Sequence, residues 1–163
     1  MRKWLGMLGA VLAAQGAHAM QNEPGDFLGL EWGAALEPRA MDFKPITVDA
    51  NSGHYRRSAD RPIYAGMEVR RISYYFYKGR FSSGTFLTVG TTDLKNIIAH
   101  LTERYGAPVT VNARHRVYAW EGDKAGITVS CDITISCYTE FYDKALRLEE
   151  LAAQPKDANA KDD

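Results

Sequence analysis

The sequence predicts an α+β fold: a mainly antiparallel sheet of about five strands, one main helix packed on one face, and a short C-terminal helix. Three observations carry this. Apolar residues alternate with period two in separate runs, between Val69 and Val89 and again between Arg116 and Tyr142. One run with helical spacing, Thr91 to Tyr105, lies between them. The strands are grouped and joined by turn residues instead of alternating singly with helices, which favours α+β over α/β.

The N-terminal residues precede this pattern. In MRKWLGMLGAVLAAQGAHAMQ, Arg2 and Lys3 give a positive start, and Trp4 to Ala14 is an apolar run too short to span a bilayer. Ala17-His18-Ala19 then supplies the small residues that a signal peptidase reads. The layout predicts a signal peptide over 1–19, cleaved between Ala19 and Met20. A buried core helix is the alternative, disfavoured by the polar stretch Gln21 to Gly25 that follows. The predicted mature chain is a soluble single domain over 20–153, periplasmic or secreted, with no transmembrane segment. Residues 154–163, small, polar and Pro-interrupted, predict a disordered tail.

Phe27 to Gly33 reads as a short extended segment whose Phe27, Leu30 and Trp32 are candidates for burial. From Ala34 to Ala65 the signal is poor, because Pro38, Pro45, Asn51, Gly53 and Pro62 interrupt it. Only Phe43 to Val48 suggests an edge strand, with Pro45 keeping it from a sheet centre. In Val69 to Tyr77, Ile72, Tyr74 and Phe76 fall on one face, and Arg71, Tyr75 and Tyr77 on the other. A two-residue turn at Lys78-Gly79 would set Phe76 opposite Phe81, Tyr74 opposite Ser83 and Ile72 opposite Thr85.

Leu94, Ile97, Ile98, Leu101 and Tyr105 form the apolar stripe of the main helix. Thr91 or Thr92 can cap its start, while Gly106 and Pro108 end it. Arg116 to Trp120 reads as a strand. Gly126 to Cys131 and Ile135 to Tyr142 form a hairpin. Asp143 can cap a final helix with Ala145, Leu148 and Leu151 or Ala152 inward.

The hairpin holds both cysteines of the chain, Cys131 and Cys137. With Ile133 to Ile135 at its tip, they stand opposite each other, near enough for a bridge. An exported chain with two cysteines favours a structural disulfide. Free thiols, a redox pair or a metal site are the alternatives. A redox dithiol more commonly shows C-x-x-C, and a zinc site needs further ligands.

Without Arg2 and Lys3 the chain carries 18 basic and 20 acidic residues, so its overall charge asks for no nucleic-acid partner. The charge is uneven, however. Seven basic residues lie between Arg56 and Arg80, against Asp60 and Glu68.

FLGLEWG, YYFYKGRF, LTERYGAP and YAWEGDKAGITVSC, in that order over 27–142, resemble a group of small exported bacterial proteins of uncharacterised function. Those show F-x-G-(I/L)-x-W-G, an aromatic hairpin, and a helix ending Y-G-x-P. The group also has a short helix after W-G, where this chain has Pro38 and Pro45. The resemblance implies export and no particular activity, cofactor or site residue.

The chemistry of the chain is sparse. His54, His100 and His115 stand apart, without metal-ligand spacing, and no G-x-S-x-G or phosphate-binding loop occurs. Glu149 and Glu150 read as a solvated helix face. No catalytic residue, metal ligand or cofactor is predicted. The unusual stretch is RRISYYFYKGR, Arg70 to Arg80, where Arg71, Tyr75 and Tyr77 share a face that could meet an envelope protein or an anionic envelope component. The competing reading is an ordinary solvated strand face, since Tyr and Phe favour strands in any case. The predicted function is a non-catalytic exported binding or accessory module, using this face or the groove beside the main helix. An envelope enzyme or enzyme inhibitor is the alternative.

Overall fold

The computed structural model describes residues 20–112, 114 and 116–154. The predicted signal peptide and the tail beyond Gln154 lie outside the described residues. The fold is α+β. Eight strands among the described residues form one antiparallel sheet, and the prediction of about five is corrected by three marginal strands. Along the sheet the order is Phe43–Val48 (β3), Ser52–Arg57 (β4), Arg70–Tyr77 (β7), Arg80–Val89 (β8), Ser136–Asp143 (β12), Ala125–Cys131 (β11), Val117–Glu121 (β10) and Val109–Asn112 (β9). Strand β3, suggested as an edge strand, is one edge. Strands β4 and β9 were not predicted. All three lie toward the sheet margins, where little burial is needed; β3 is exposed from Lys44 to Val48. Their sequences therefore lack the alternation that marks the inner strands.

Two short hairpins flank the sheet, Asp26–Phe27 with Leu30–Glu31 (β1, β2) and Ile63–Tyr64 with Met67–Glu68 (β5, β6). Between the first hairpin and β3 runs a 3-10 helix, Glu37–Asp42, with Pro38 in its first turn. The segment read as extended, FLGLEWG, is thus a tight turn, with Leu28 at φ 50 and Gly29 at φ 79. It drives Phe27 into the core. The Phe27 ring lies on Gly84, where a Cβ would overlap it, and packs on Tyr74, Phe86 and Phe141.

The turn between β7 and β8 has the predicted two residues, Lys78 at φ 49 and Gly79 at φ 70, and sets Phe76 opposite Phe81. Two register shifts then change the predicted pairing. Tyr74 faces Gly84 in place of Ser83, and Ser73 takes the place of Ile72 opposite Thr85. The first shift inserts Ser82. The second falls at Arg71–Ile72, where Arg71 has φ 50, as β-bulges on twisted strands do.

The main helix, Thr91–Tyr105 (α1), buries Leu94, Ile97, Leu101 and Tyr105 against the face bearing Tyr74, Phe86, Ile127 and Phe141. Its N-cap is Gly90 with no side-chain bond, not a threonine. Gly106 ends it at φ 89, and its carbonyl accepts from the buried Trp120 indole at 2.8 Å.

The C-terminal helix, Lys144–Ala153 (α2), follows β12 without a loop. Asp143 ends the strand and caps the helix, accepting from the Leu146 N–H at 2.7 Å. Strand parity fixes where α2 lies. Phe141, Gly84 and Tyr74 are mutually opposite and face α1, so Tyr142, Ser83 and Tyr75, one residue on, face away from it. Helix α2 contacts Tyr75 and Tyr142. The two helices therefore cover opposite faces, not one.

The residues just after the predicted cleavage point belong to the fold. Met20 is 8% exposed; its N–H donates to the Glu121 carbonyl, and that of Gln21 to Tyr105. The Glu23 carboxylate accepts three backbone N–H groups in the β10–β11 turn, from Asp123, Lys124 and Ala125, at 2.6 to 3.0 Å.

Candidate functional site: a basic, tyrosine-rich face

The alternation of β7 sends Tyr75 and Tyr77 to the face opposite α1, as their spacing requires. The bulge leaves the Arg71 side chain exposed at the margin of that face, its Nη1 3.4 Å from the Tyr138 hydroxyl. Tyr75 is half-buried, and the His54 ring lies 4.7 Å from its own. Tyr77 is 4% exposed, with Lys78 over its ring at 5.2 Å. Of the predicted trio, Arg71 is thus open to solvent, Tyr75 is half covered and Tyr77 is a buried support.

What covers the face is acidic. Glu149 of α2 lies between two cations, accepting from Lys78 Nζ at 3.1 Å and Arg80 Nη2 at 2.6 Å. The Tyr75 hydroxyl donates to Glu150. One turn earlier, Arg147 Nη2 donates to both oxygens of Glu140 at 2.7 and 2.8 Å and lies 3.9 Å above the Tyr142 ring. The electrostatics agree with this geometry. Hydrogen bonds from Arg80 and then Lys78 hold the Glu149 carboxyl below its ordinary range. Burial, with the bond to Glu150, pushes the Tyr75 phenol up to about 12.

Helix α2 meets the sheet through its polar side. Leu146 is its buried residue, whereas Leu148 and Leu151 are 63% and 56% exposed. This reverses the predicted orientation, which had Leu148 and Leu151 inward. The reason is local. Asp143 fixes the helix start, and the charged residues one position removed from the leucine stripe then meet Lys78, Arg80, Glu140 and Tyr75. Lys78, Arg80, Glu149 and Glu150 are therefore site residues that sequence reasoning did not assign. The available signal was complementary charge, a basic turn and an acidic pair near the ends of two amphipathic segments.

Beside Arg71 is a cleft of about 250 Å³ that reaches Arg56, Arg57 and Asp60. Asp60 accepts from Arg57 Nε at 2.8 Å and from the buried Tyr74 hydroxyl at 3.0 Å, while Arg57 also donates to the Leu28 carbonyl. This internal network fixes the base of β4. It raises the Tyr74 phenol well above its usual range, through burial first and the Asp60 charge second.

Cys131 and Cys137 are direct cross-strand partners in β11 and β12, at disulfide distance, as the hairpin reading required. Their loop is held by Asp132, whose Oδ1 accepts from the Thr134 and Ser136 N–H groups at 2.8 and 3.0 Å. His54 lies against Tyr75 and His100 against Tyr64, while His115 lies outside the described residues. Among the described residues no three His, Cys, Asp or Glu side chains converge on a point.

The chemistry on offer at the face is recognition of carboxylates by two cations and a phenol on an open sheet face. No protein family matches the chain, and no curated protein or solved structure is detectably similar to it.

Proposed function

We propose that this chain is a non-catalytic binding module, exported to the periplasm or beyond, that meets an acidic partner through the face of Arg71, Tyr75, Lys78 and Arg80. One observation carries the reading: that face already binds carboxylates, those of Glu149 and Glu150 on its own α2. An acidic segment of an envelope protein would occupy the same positions by displacing the helix. The cost of displacement is modest, because α2 buries one leucine, Leu146, and otherwise adheres by polar contacts partly open to solvent, those of Glu149, Glu150 and Arg147.

Export is supported by the signal-like N-terminus and by the cysteines at disulfide distance. No helix among the described residues is long and apolar enough to cross a membrane.

The test is titration with polyglutamate at low salt, followed by calorimetry. Glu149→Gln/Glu150→Gln should bind about tenfold tighter than the unaltered chain, because the cis competitor is weakened. Lys78→Glu/Arg80→Glu should bind weakly or not at all. Equal affinities in all three would remove this face from consideration. The trio Arg71, Tyr75 and Tyr77 is a poorer probe, since replacing the buried Tyr77 perturbs packing as well.

A further inference from the structure

A second surface lies on the opposite side of the molecule, where α1 meets the sheet. The flank of α1 and the side chain of Tyr118 enclose a groove of about 480 Å³, within the range of small-molecule sites. Leu94, Ile98 and Ala99 make its floor apolar, and Lys95 and Arg116 stand at its rim. Arg116 also borders an adjoining cavity of about 390 Å³ lined by Arg114, Cys131, Asp132 and Ile133, at the tip of the cysteine hairpin. The α1–Tyr118 groove is thus mainly apolar with two cations at its edge, while the adjoining cavity is charged.

The cations around α2, Lys78, Arg80, Lys144 and Arg147, each have a carboxylate partner. Lys95 and Arg116 pair with none among the described residues. Arg116 also holds a left-handed conformation, φ 50, uncommon for a side chain of its kind.

The walls decide between ligand classes. One is a helix and the other an interior strand, since β10 pairs with β9 on one side and β11 on the other. Apart from the first-turn N–H groups of α1 at Thr91, at one end of the groove, their backbone groups are committed within helix and sheet. An extended peptide laid in the groove would bring N–H and C=O groups with no main-chain partner. An alkyl chain needs none, and a single anionic head would meet Lys95 and Arg116.

We infer that the α1–Tyr118 groove binds a single-chain alkyl carboxylate, its chain on Leu94, Ile98 and Tyr118 and its head between Lys95 and Arg116. This goes beyond the acidic-partner reading and does not depend on it, because the two sites lie on opposite faces and share no residue.

The test uses the full chain and amide-resolved NMR titrations with sodium octanoate and decanoate below their micelle concentrations. Saturable shifts should centre on Leu94, Ile98 and Tyr118, and affinity should rise by up to about fourfold per added methylene. Lys95→Glu/Arg116→Glu should weaken decanoate about tenfold. Ala99→Trp, which fills the groove from an exposed helix position, should abolish the shifts with the fold intact by circular dichroism. The inference is overturned if decyl maltoside binds as tightly as decanoate, if acetate gives the same shifts, if both variants bind like the parent, or if no shift saturates.

Discussion

The hydroxyl of Tyr75, on the middle of an inner strand, donates a hydrogen bond to the carboxylate of Glu150, near the end of α2. The contact spans 75 residues of sequence and ties the aromatic face to the element that covers it. It is also polar, and that decides how firmly the cover holds. Glu149→Gln/Glu150→Gln should lower global stability only slightly, because the pairs are half exposed. The same change should sharply increase amide exchange from Leu146 to Ala153. Raising salt to 1 M should reproduce part of that effect in the unaltered chain, since exposed pairs are screened. Unchanged α2 protection in both cases would mean that Leu146 packing, and not the ion pairs, holds the helix.

The same contact has an alkaline signature. The Tyr75 phenol is raised from 10.0 to about 12, by burial first and the Glu150 bond second. A raised folded value means that the contribution is complete below pH 10 and is lost as pH climbs through about 12. Titration of tyrosinate absorbance should therefore show a late-ionising component that moves toward 10 in Glu150→Gln. A Tyr75 titration unaffected by that substitution would contradict the assigned bond.

Glu23 makes an acid-side prediction. Burial would raise its carboxyl, but three backbone N–H donors and the Lys124 charge outweigh that and hold it below 4.5. A depressed folded value gives stability that is present above pH 4.5 and disappears as pH falls through the folded value. Glu23→Gln should flatten the fall in thermal midpoint between pH 5 and 3, and Glu23→Ala should cost about 1–2 kcal/mol at pH 7. Identical acid profiles for variant and parent would show that the turn does not depend on this carboxylate.

Packing under β8 gives a purely steric prediction. A Cβ at Gly84 would overlap the Phe27 ring, which is itself 2% exposed. Gly84→Ala should destabilise by about 1–3 kcal/mol in urea unfolding, as overpacked cores do. Pairing it with Phe27→Leu should recover part of the loss. A neutral Gly84→Ala would mean that Phe27 does not lie there.

The cysteine hairpin predicts a covalent outcome. In chain purified from the periplasm, Cys131 and Cys137 should resist alkylation until reduced, and the mass should begin at Met20. Closing so short a loop restricts the unfolded chain by about 2 kcal/mol, so Cys131→Ala/Cys137→Ala should lower stability by that order. Two thiols alkylated without reductant would contradict the bridge.

Much of this architecture could be read from the residues. Leu94, Ile97 and Leu101 mark a helix that must bury one stripe. Cys131 and Cys137 sit at a spacing that places them opposite each other about a short tip. The turn at Lys78-Gly79 was legible because a glycine between two alternating runs suits a short hairpin turn. Pairing beyond that turn was not, because a bulge at Ser82 or Arg71 costs little and leaves no mark on the alternation. Strands β4 and β9 were hidden for a different reason: strands near the sheet margins bury too little to need a pattern.

The candidate site was half visible. Tyr75 and Arg71 stood out in a stretch that interleaves aromatics with cations. Their cover did not, because Leu148 and Leu151 looked like the buried stripe of α2. Whether such a helix docks by leucines or by carboxylates depends on what the sheet presents. Here Lys78 and Arg80, distant in sequence, decide it.

Hydrogen exchange in the presence of polyglutamate tests the central claim most directly. If an acidic ligand and α2 compete for one face, saturating polyglutamate should speed exchange across Leu146 to Ala153 while slowing it at Tyr75 to Arg80. Polyglutamate that binds while α2 keeps its full protection would show that the ligand sits elsewhere, and that the helix is a fixed part of the fold.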